Sequence, residues 1–279
     1  MATQSRVRGR RRGGAGGRAG TAVAALLSVV LAGCGPAAAG EQAARAGTTP
    51  TAASAPATPS APAAVRPTPQ VVSYPAGGGN RWSVAAAEAP AEGGTARGGT
   101  GRLLRYRVAV ERDIRGLPVA DVAAEVTDAL NHPKGWTAGG TLRLRRVGPG
   151  QPADFTIHLA TPDTRDELCQ DDPDGYTSCR NGDRVVLNVA RWVKGVPGYG
   201  APLAVYRRYM VNHEVGHRLG MGHELCPGRG RPAPVMQQQT LGLHGCTANA
   251  DPYRGGKRYA GVSGAYRDEI PPRERGHRG

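Results

Sequence analysis

The sequence predicts an α+β domain of about 150 residues, a small sheet with helices packed against it. Three observations lead there. Short segments alternate apolar and polar residues, as strands with one buried face do. Two longer stretches repeat their apolar residues at helical spacing. The composition also changes near Gly101, where Ala, Pro, Thr and Gly give way to Val, Leu and Arg.

In chain order, Leu104-Arg105-Tyr106-Arg107-Val108-Ala109-Val110 alternates and reads as a strand. Pro118 to Leu130 reads as a helix: Val119, Val122, Ala123, Val126 and Leu130 fall on one face, and Pro118 suits its start. Thr141 to Val147 alternates as a second strand, and Asp154 to Ala160 as a third. His158 on that third strand reads as structural rather than as a ligand. A polar loop follows, then Arg184 to Val189 as a fourth strand. The last element is a helix from Leu203 to Leu219, opened by Pro202 and broken by no further proline. Val211 and Val215 lie opposite His213 and His217, so one face packs on a core while the other carries the histidines.

That helix carries the chemistry. Residues 213–223 read His-Glu-Val-Gly-His-Arg-Leu-Gly-Met-Gly-His. His213 and His217 are four residues apart, so their imidazoles leave the same face. Zinc takes such nitrogen ligands at about 2.0–2.1 Å. Glu214 lies about 100° round the helix, within reach of a water at that metal. Gly220 can end the helix in a left-handed conformation and let the chain return His223 as a third ligand. Three protein ligands, a fourth position open to water and a carboxylate beside it make up a catalytic zinc layout; structural sites are closed by four ligands. From the composition, with 7 His and 42 Gly, such a pattern is expected by chance on the order of 10⁻⁵ times in this chain. Gly216 inside the helix costs about 1 kcal/mol relative to Ala, which points to a close approach of another backbone there.

The pattern His213-Glu214-x-x-His217-x-x-Gly220-x-x-His223, with Pro234-Val235-Met236-Gln237 beginning eleven residues later, resembles the metzincin peptidases and their methionine turn. The segments Val211 to His217 and Pro234 to Thr240 also resemble an uncharacterised actinobacterial family, DUF3152, regarded as metzincin-like. The resemblance runs from Gly101 to about Tyr253. It implies a single metzincin-like domain: a small twisted mixed sheet with packed helices, and an active-site helix followed by the turn. Met236 would support the metal site from below without ligating it, and one edge strand would form the upper rim of the cleft. The sequence departs from the pattern in two places. Some metzincins carry a tyrosine where this chain has Gln238, so the stabiliser of the oxyanion is not assigned. After Cys246 there is only Gly-, Pro- and Arg-rich sequence, where many metzincins have a long helix.

The ends of the chain bear on location. Residues 1–34 hold six arginines and no acid, with an apolar run from Thr21 that ends Leu31-Ala32-Gly33-Cys34. A basic start and a short apolar core are the parts of an export signal, and the run falls short of the roughly 20 residues that span a bilayer. Leu-Ala-Gly-Cys resembles a bacterial lipobox, with lipidation at Cys34 and anchoring at the outer face of the cytoplasmic membrane, or secretion if Cys34 stays bare. Residues 35–100 read as a disordered Ala/Pro/Gly-rich linker, with contact between its last part, Val71 to Val84, and the domain left open, 101–253 as the domain, and 254–279 as a basic disordered tail. Four cysteines remain: Cys169, Cys179, Cys226 and Cys246. An even number in an exported chain points to disulfides, and the pairs Cys169–Cys179 and Cys226–Cys246 close local loops, although three pairings are possible. The second pair would bracket Met236.

The formal charge of +14 misleads. Six of those charges lie in residues 1–34, one net in 35–100 and three in 251–279, which leaves +4 for residues 101–250. A domain so mildly basic, with no nucleic-acid motif, gives no reason to expect a nucleic-acid partner. The expectation is a monomeric zinc metalloendopeptidase with one catalytic zinc, acting on peptide or protein. Two other readings fit the same residues: a zinc-containing surface lipoprotein that only binds, and an amidase acting on cell-wall peptide. His244 is read as a loop histidine near Cys246 rather than as part of the site. No pro-segment cysteine stands where it would cap the metal, so the sequence leaves latency open.

Overall fold

The computed structural model describes residues 71–89 and 101–278. The export signal, Cys34 and most of the linker lie outside the described residues. Trp82–Val84 (β1) pairs antiparallel with the far end of Arg102–Glu111 (β2), the longest strand. Val119–Leu130 (α1) turns inward Val122, Ala123, Val126, Ala129 and Leu130, all buried, and packs on β2. A 3-10 turn at Trp136–Gly139 leads to Leu142–Arg146 (β3), parallel to the first half of β2. Phe155–Ala160 (β4) pairs parallel with β2 on its other side. Pro162–Cys169 (α2) follows, then Cys179–Asn181 (β5) and Arg184–Asn188 (β6). Strand β6 is parallel to β4, and β5 closes the sheet as an antiparallel edge strand. Val189–Lys194 (α3) and Leu203–Arg218 (α4) complete the helices, and a small hairpin joins Tyr253–Arg254 (β7) to Lys257–Arg258 (β8).

The result is a mixed six-stranded sheet with four α-helices, the α+β class that the alternating segments predict. Strand β6 carries no exposed face beyond its first residue: Val185, Val186 and Leu187 are all fully buried. A strand covered on both sides reads as a continuous apolar run, as Val-Val-Leu does here. The main core joins Val211 and Val215 of α4 to Leu130 of α1 and Leu187 of β6, and a smaller cluster gathers Ala160, Cys169, Cys179 and Val186. No helix among the described residues is long and apolar enough to cross a membrane.

Two expected boundaries move. Residues 71–89, assigned to the linker, are part of the fold. β1 extends the sheet, and the Glu111 carboxylate, fully buried, accepts from Asn80 N at 3.0 Å and from the Thr161 and Thr164 hydroxyls at 2.9 and 2.8 Å. Gly78 is required there, since a Cβ would stand 2.1 Å from that carboxylate. Residues 254–278, assigned to a disordered tail, lie along the domain. Leu225 N donates to Val262 O at 2.8 Å, and His277 exchanges backbone hydrogen bonds with Tyr74 at 2.7 and 2.9 Å. Such compositions lack a core of their own; they order here because the domain gives them fixed polar partners and takes Tyr74 and Ala85 into its core.

Candidate metal centre

Helix α4 presents His213 and His217 on one face, and its ending supplies the third histidine. Leu219 is the last near-helical residue, and Gly220 takes a left-handed conformation at φ 90°. Gly220 N donates to His217 O at 3.1 Å and Met221 N to Gly216 O at 2.9 Å, the paired bonds of a Schellman ending. The reversed chain brings back His223. The Nε2 atoms then converge: His217 to His213 is 3.2 Å, and His217 to His223 is 3.1 Å.

Two of the rings are fixed by backbone acceptors. His213 Nδ1 lies 2.8 Å from Val235 O, and His217 Nδ1 lies 2.9 Å from Met221 O. A carbonyl only accepts, so each Nδ1 carries the proton and each Nε2 is left with a bare lone pair. Two lone pairs at 3.2 Å cannot hydrogen-bond to one another. Their common focus suits a cation. Four ligands at about 2.0–2.1 Å from zinc sit about 3.3–3.4 Å apart along a tetrahedron's edge, close to the observed spacing. Burial lowers the pKa of all three histidines, to about 4 for His223, with His217 adding to the effect on its two neighbours. Neutral imidazole is the ligating form. The residues present therefore fit a zinc-type ion, with ring-orienting carbonyls behind two of the ligands.

Met236 lies beneath this group, fully buried, in a tight turn closed by Gln237 N donating to Pro234 O at 3.0 Å. The turn supplies Val235 O to His213, and Met236 O accepts from Glu224 N at 3.1 Å, beside the third histidine. Gly216 faces the methionine. A Cβ there would meet Met236 Sδ at 2.3 Å and Trp136 Cζ2 at 2.8 Å. The close approach expected at Gly216 is thus real, but it comes from two side chains rather than a backbone. Trp136 Nε1 also donates to Asn212 O at 2.9 Å, fixing the indole against the helix.

The histidines open onto a cleft of about 450 Å³. Glu214 lines it at 6% exposure, and burial pushes its carboxyl up to about 8, the nearby Arg165 guanidinium pulling the other way. One wall is the loop between α2 and β5, closed by Cys169–Cys179 with Cα atoms 6.0 Å apart. Arg165, buried at its base, donates to Asp166 and Asp171 at 2.9 and 3.0 Å and to Thr177 at 3.0 Å. Arg180 of the edge strand β5 also lines the cleft. The opposite wall holds Gln238, Thr240 and Leu241, just beyond the Met236 turn. That loop is bracketed by Cys226–Cys246, Cα atoms 5.9 Å apart. Both cysteine pairs are the local ones.

Of the residues singled out in the sequence, His213, Glu214, His217, His223, Gly220 and Met236 come together. His244 does not; its ring stacks on Tyr266 with centroids 3.4 Å apart and contacts Asp268 at 2.9 Å. His158 is half-buried against Trp82, away from the histidine group. Tyr209 was missed. It lies one helical turn before His213, lines the cleft, and donates to Gln237 O at 3.1 Å. Its spacing of four from His213 is the signal that would have found it. Arg165 and Arg180 carry no such signal, because tertiary folding alone brings them to the cleft.

No curated protein and no solved structure matches the chain. A family model described as a protein of unknown function, DUF3152, matches residues 68–253, a span that takes in the N-terminal strand, the ligand helix and the methionine turn, and the chain belongs to that family.

Proposed function

We propose that this protein is a zinc-dependent, metzincin-like endopeptidase, exported and held at the outer face of the cytoplasmic membrane through Cys34. The observation that carries the proposal is the pair of imidazoles whose protons are fixed on Nδ1, so that bare Nε2 atoms face each other at 3.2 Å beside a buried glutamate. A zinc ion held by His213, His217 and His223 would supply Lewis acidity and a water acidified toward neutrality. Glu214 then removes the proton from the attacking water and delivers it to the leaving amine. A divalent charge held by the three histidines would lower its carboxyl below the value that burial alone gives it and favour the ionised form that acts as a base. The antiparallel edge strand β5 borders the cleft, and among the described residues one of its sides has no neighbouring strand. An extended peptide can pair with that side while its side chains fall alternately into the cleft and outward. The methionine turn under the ligand helix and the antiparallel rim support the metzincin-like reading.

The test is metal content together with peptide-library cleavage, wild type against Glu214→Gln, both with intact disulfides. One zinc per chain in each, with cleavage lowered at least about 10²-fold in the variant, is the expected outcome. Equal cleavage by both would remove Glu214 from its role. Zinc in both without cleavage in either would favour the binding reading or a non-protein wall substrate. Folded protein without zinc would overturn the proposal at its base.

A further inference from the structure

The C-terminal segment follows a path that the proposed activity does not require. It starts on the lower side of the cleft. Gly264 N donates to His223 O at 3.0 Å, so the segment is tied to the third histidine itself. Tyr266 stacks on His244, and its hydroxyl accepts from Cys226 N at 3.1 Å. Asp268 contacts His244 at 2.9 Å. Two residues on, Ile270 borders the same cavity as His213, Glu214, His217 and His223, with 44% of its surface exposed. The segment then reaches the upper side. Arg273 donates to Asp163 and Asp166 of α2 at 2.7 and 2.6 Å. Glu274 pairs with the buried Arg191 and, at 2.9 Å, with Lys194 of α3. Backbone bonds between His277 and Tyr74 finish the crossing.

We infer that residues 265–278 are an autoinhibitory strap: the chain's own C-terminal segment crosses the mouth of the metal cleft, and substrate enters only when its far end is released. The inference rests on the reading of that cleft as the substrate site. The sequence of the strap suits blocking rather than being cut. Pro271 and Pro272 follow Ile270, and neither has an N–H to donate to the rim strand β5. A segment with two consecutive missing donors cannot pair as an extended substrate does. The two ends differ in kind. The lower end is bonded to the backbone of the metal loop and stacked on a ring. The upper end hangs mainly on charges: Arg273 and its partner Asp163 are each 45% exposed, while the Glu274–Arg191 pair is largely buried. Exposed ion pairs are weak and salt-sensitive, so release begins at the Arg273 pair.

The experiment uses the full-length, zinc-loaded chain as wild type, Arg273→Ala and Ile270→Gly. Ile270→Gly leaves every anchor in place, which guards against misfolding of the anchor variant. Binding of a fluorescent peptide hydroxamate reports access to the cleft without turnover, and cleavage of a peptide library is measured beside it. Both variants are expected to take up the probe about ten-fold faster than wild type, and wild type to approach them as salt is raised. A synthetic peptide of residues 265–278 should slow uptake by Arg273→Ala again. Equal uptake by all three chains at all salt concentrations overturns the strap, whatever the cleavage data show. Faster uptake in the variants with no cleavage by any chain upholds the strap and counts against the peptidase reading alone.

Discussion

Gly216 shows how much a single missing methyl group decides. By helix propensity alone, Gly216→Ala should stabilise α4 by about 1 kcal/mol. The space says otherwise, with Met236 Sδ at 2.3 Å and Trp136 at 2.8 Å from the added atom. Overpacking of a rigid core costs about 1–3 kcal/mol, so the expected sign is destabilising, with a weaker hold on zinc because the turn that orients His213 is pushed away. Urea denaturation of the metal-free variant, with zinc affinity from chelator competition, checks both. A variant as stable as wild type would mean that the methionine yields freely. At this scale the site was largely legible. Ligand chemistry is written in spacing, so the three histidines, the glutamate and the turning glycine are visible in eleven residues of sequence. Arg165 was not. Its place is set by Asp166, Asp171 and Thr177, partners that only the folded loop brings together.

Among elements, the strands and helices with apolar periodicity were legible, and the ones without it were not. α2 is the clearest case. Its buried residues include Thr164, Arg165 and Asp166, so its inner face is held by ion pairs and hydroxyls and shows no apolar stripe. Pro162 stands at its first helical position, where a missing N–H costs nothing. β5 has three residues, too few to alternate visibly. The loops gain their shape from the disulfides, and the two disulfides are expected to act differently. Replacing Cys226 and Cys246 with serine should cost about 3 kcal/mol of loop entropy and also lower zinc affinity, since the loop carries Val235, whose carbonyl orients His213. Replacing Cys169 and Cys179 should cost a similar stability while zinc affinity stays close to wild type, because the hydrogen bonds that orient the ligand rings come from Val235 and Met221, outside that loop. Chelator competition on the two double variants separates them; equal losses of affinity would contradict this division.

At the scale of the whole molecule, the N-terminal segment and the sheet are one structure, and acid should expose the join. His158 on β4 packs edge-on to Trp82 of β1, with ring centroids 4.7 Å apart. Burial lowers its pKa to about 4, from 6.5 when free. Between those values the unfolded chain binds a proton that the fold excludes, so stability is complete above pH 6.5 and declines as pH falls toward 4. About 2 kcal/mol of that loss should fall between pH 7 and pH 5. His158→Phe keeps a ring against Trp82 and removes the proton. The drop in urea midpoint between pH 7 and pH 5 should therefore be smaller in the variant, and an equal drop would place the acid sensitivity elsewhere. The join was legible only as a contact left open for Val71 to Val84, and the course of the C-terminal segment not at all, because both lie in compositions that look unable to fold until the domain offers partners. The brevity of β5 has a consequence for the company the molecule keeps. A bare sheet edge is ordinarily an invitation to another copy of the same chain and a route to aggregation. Here the bare edge is three residues long, starts at a cystine and ends at the Gly182 turn. It offers too short a ladder to seed a growing stack of strands, so the edge can stay bare without gluing neighbouring copies together.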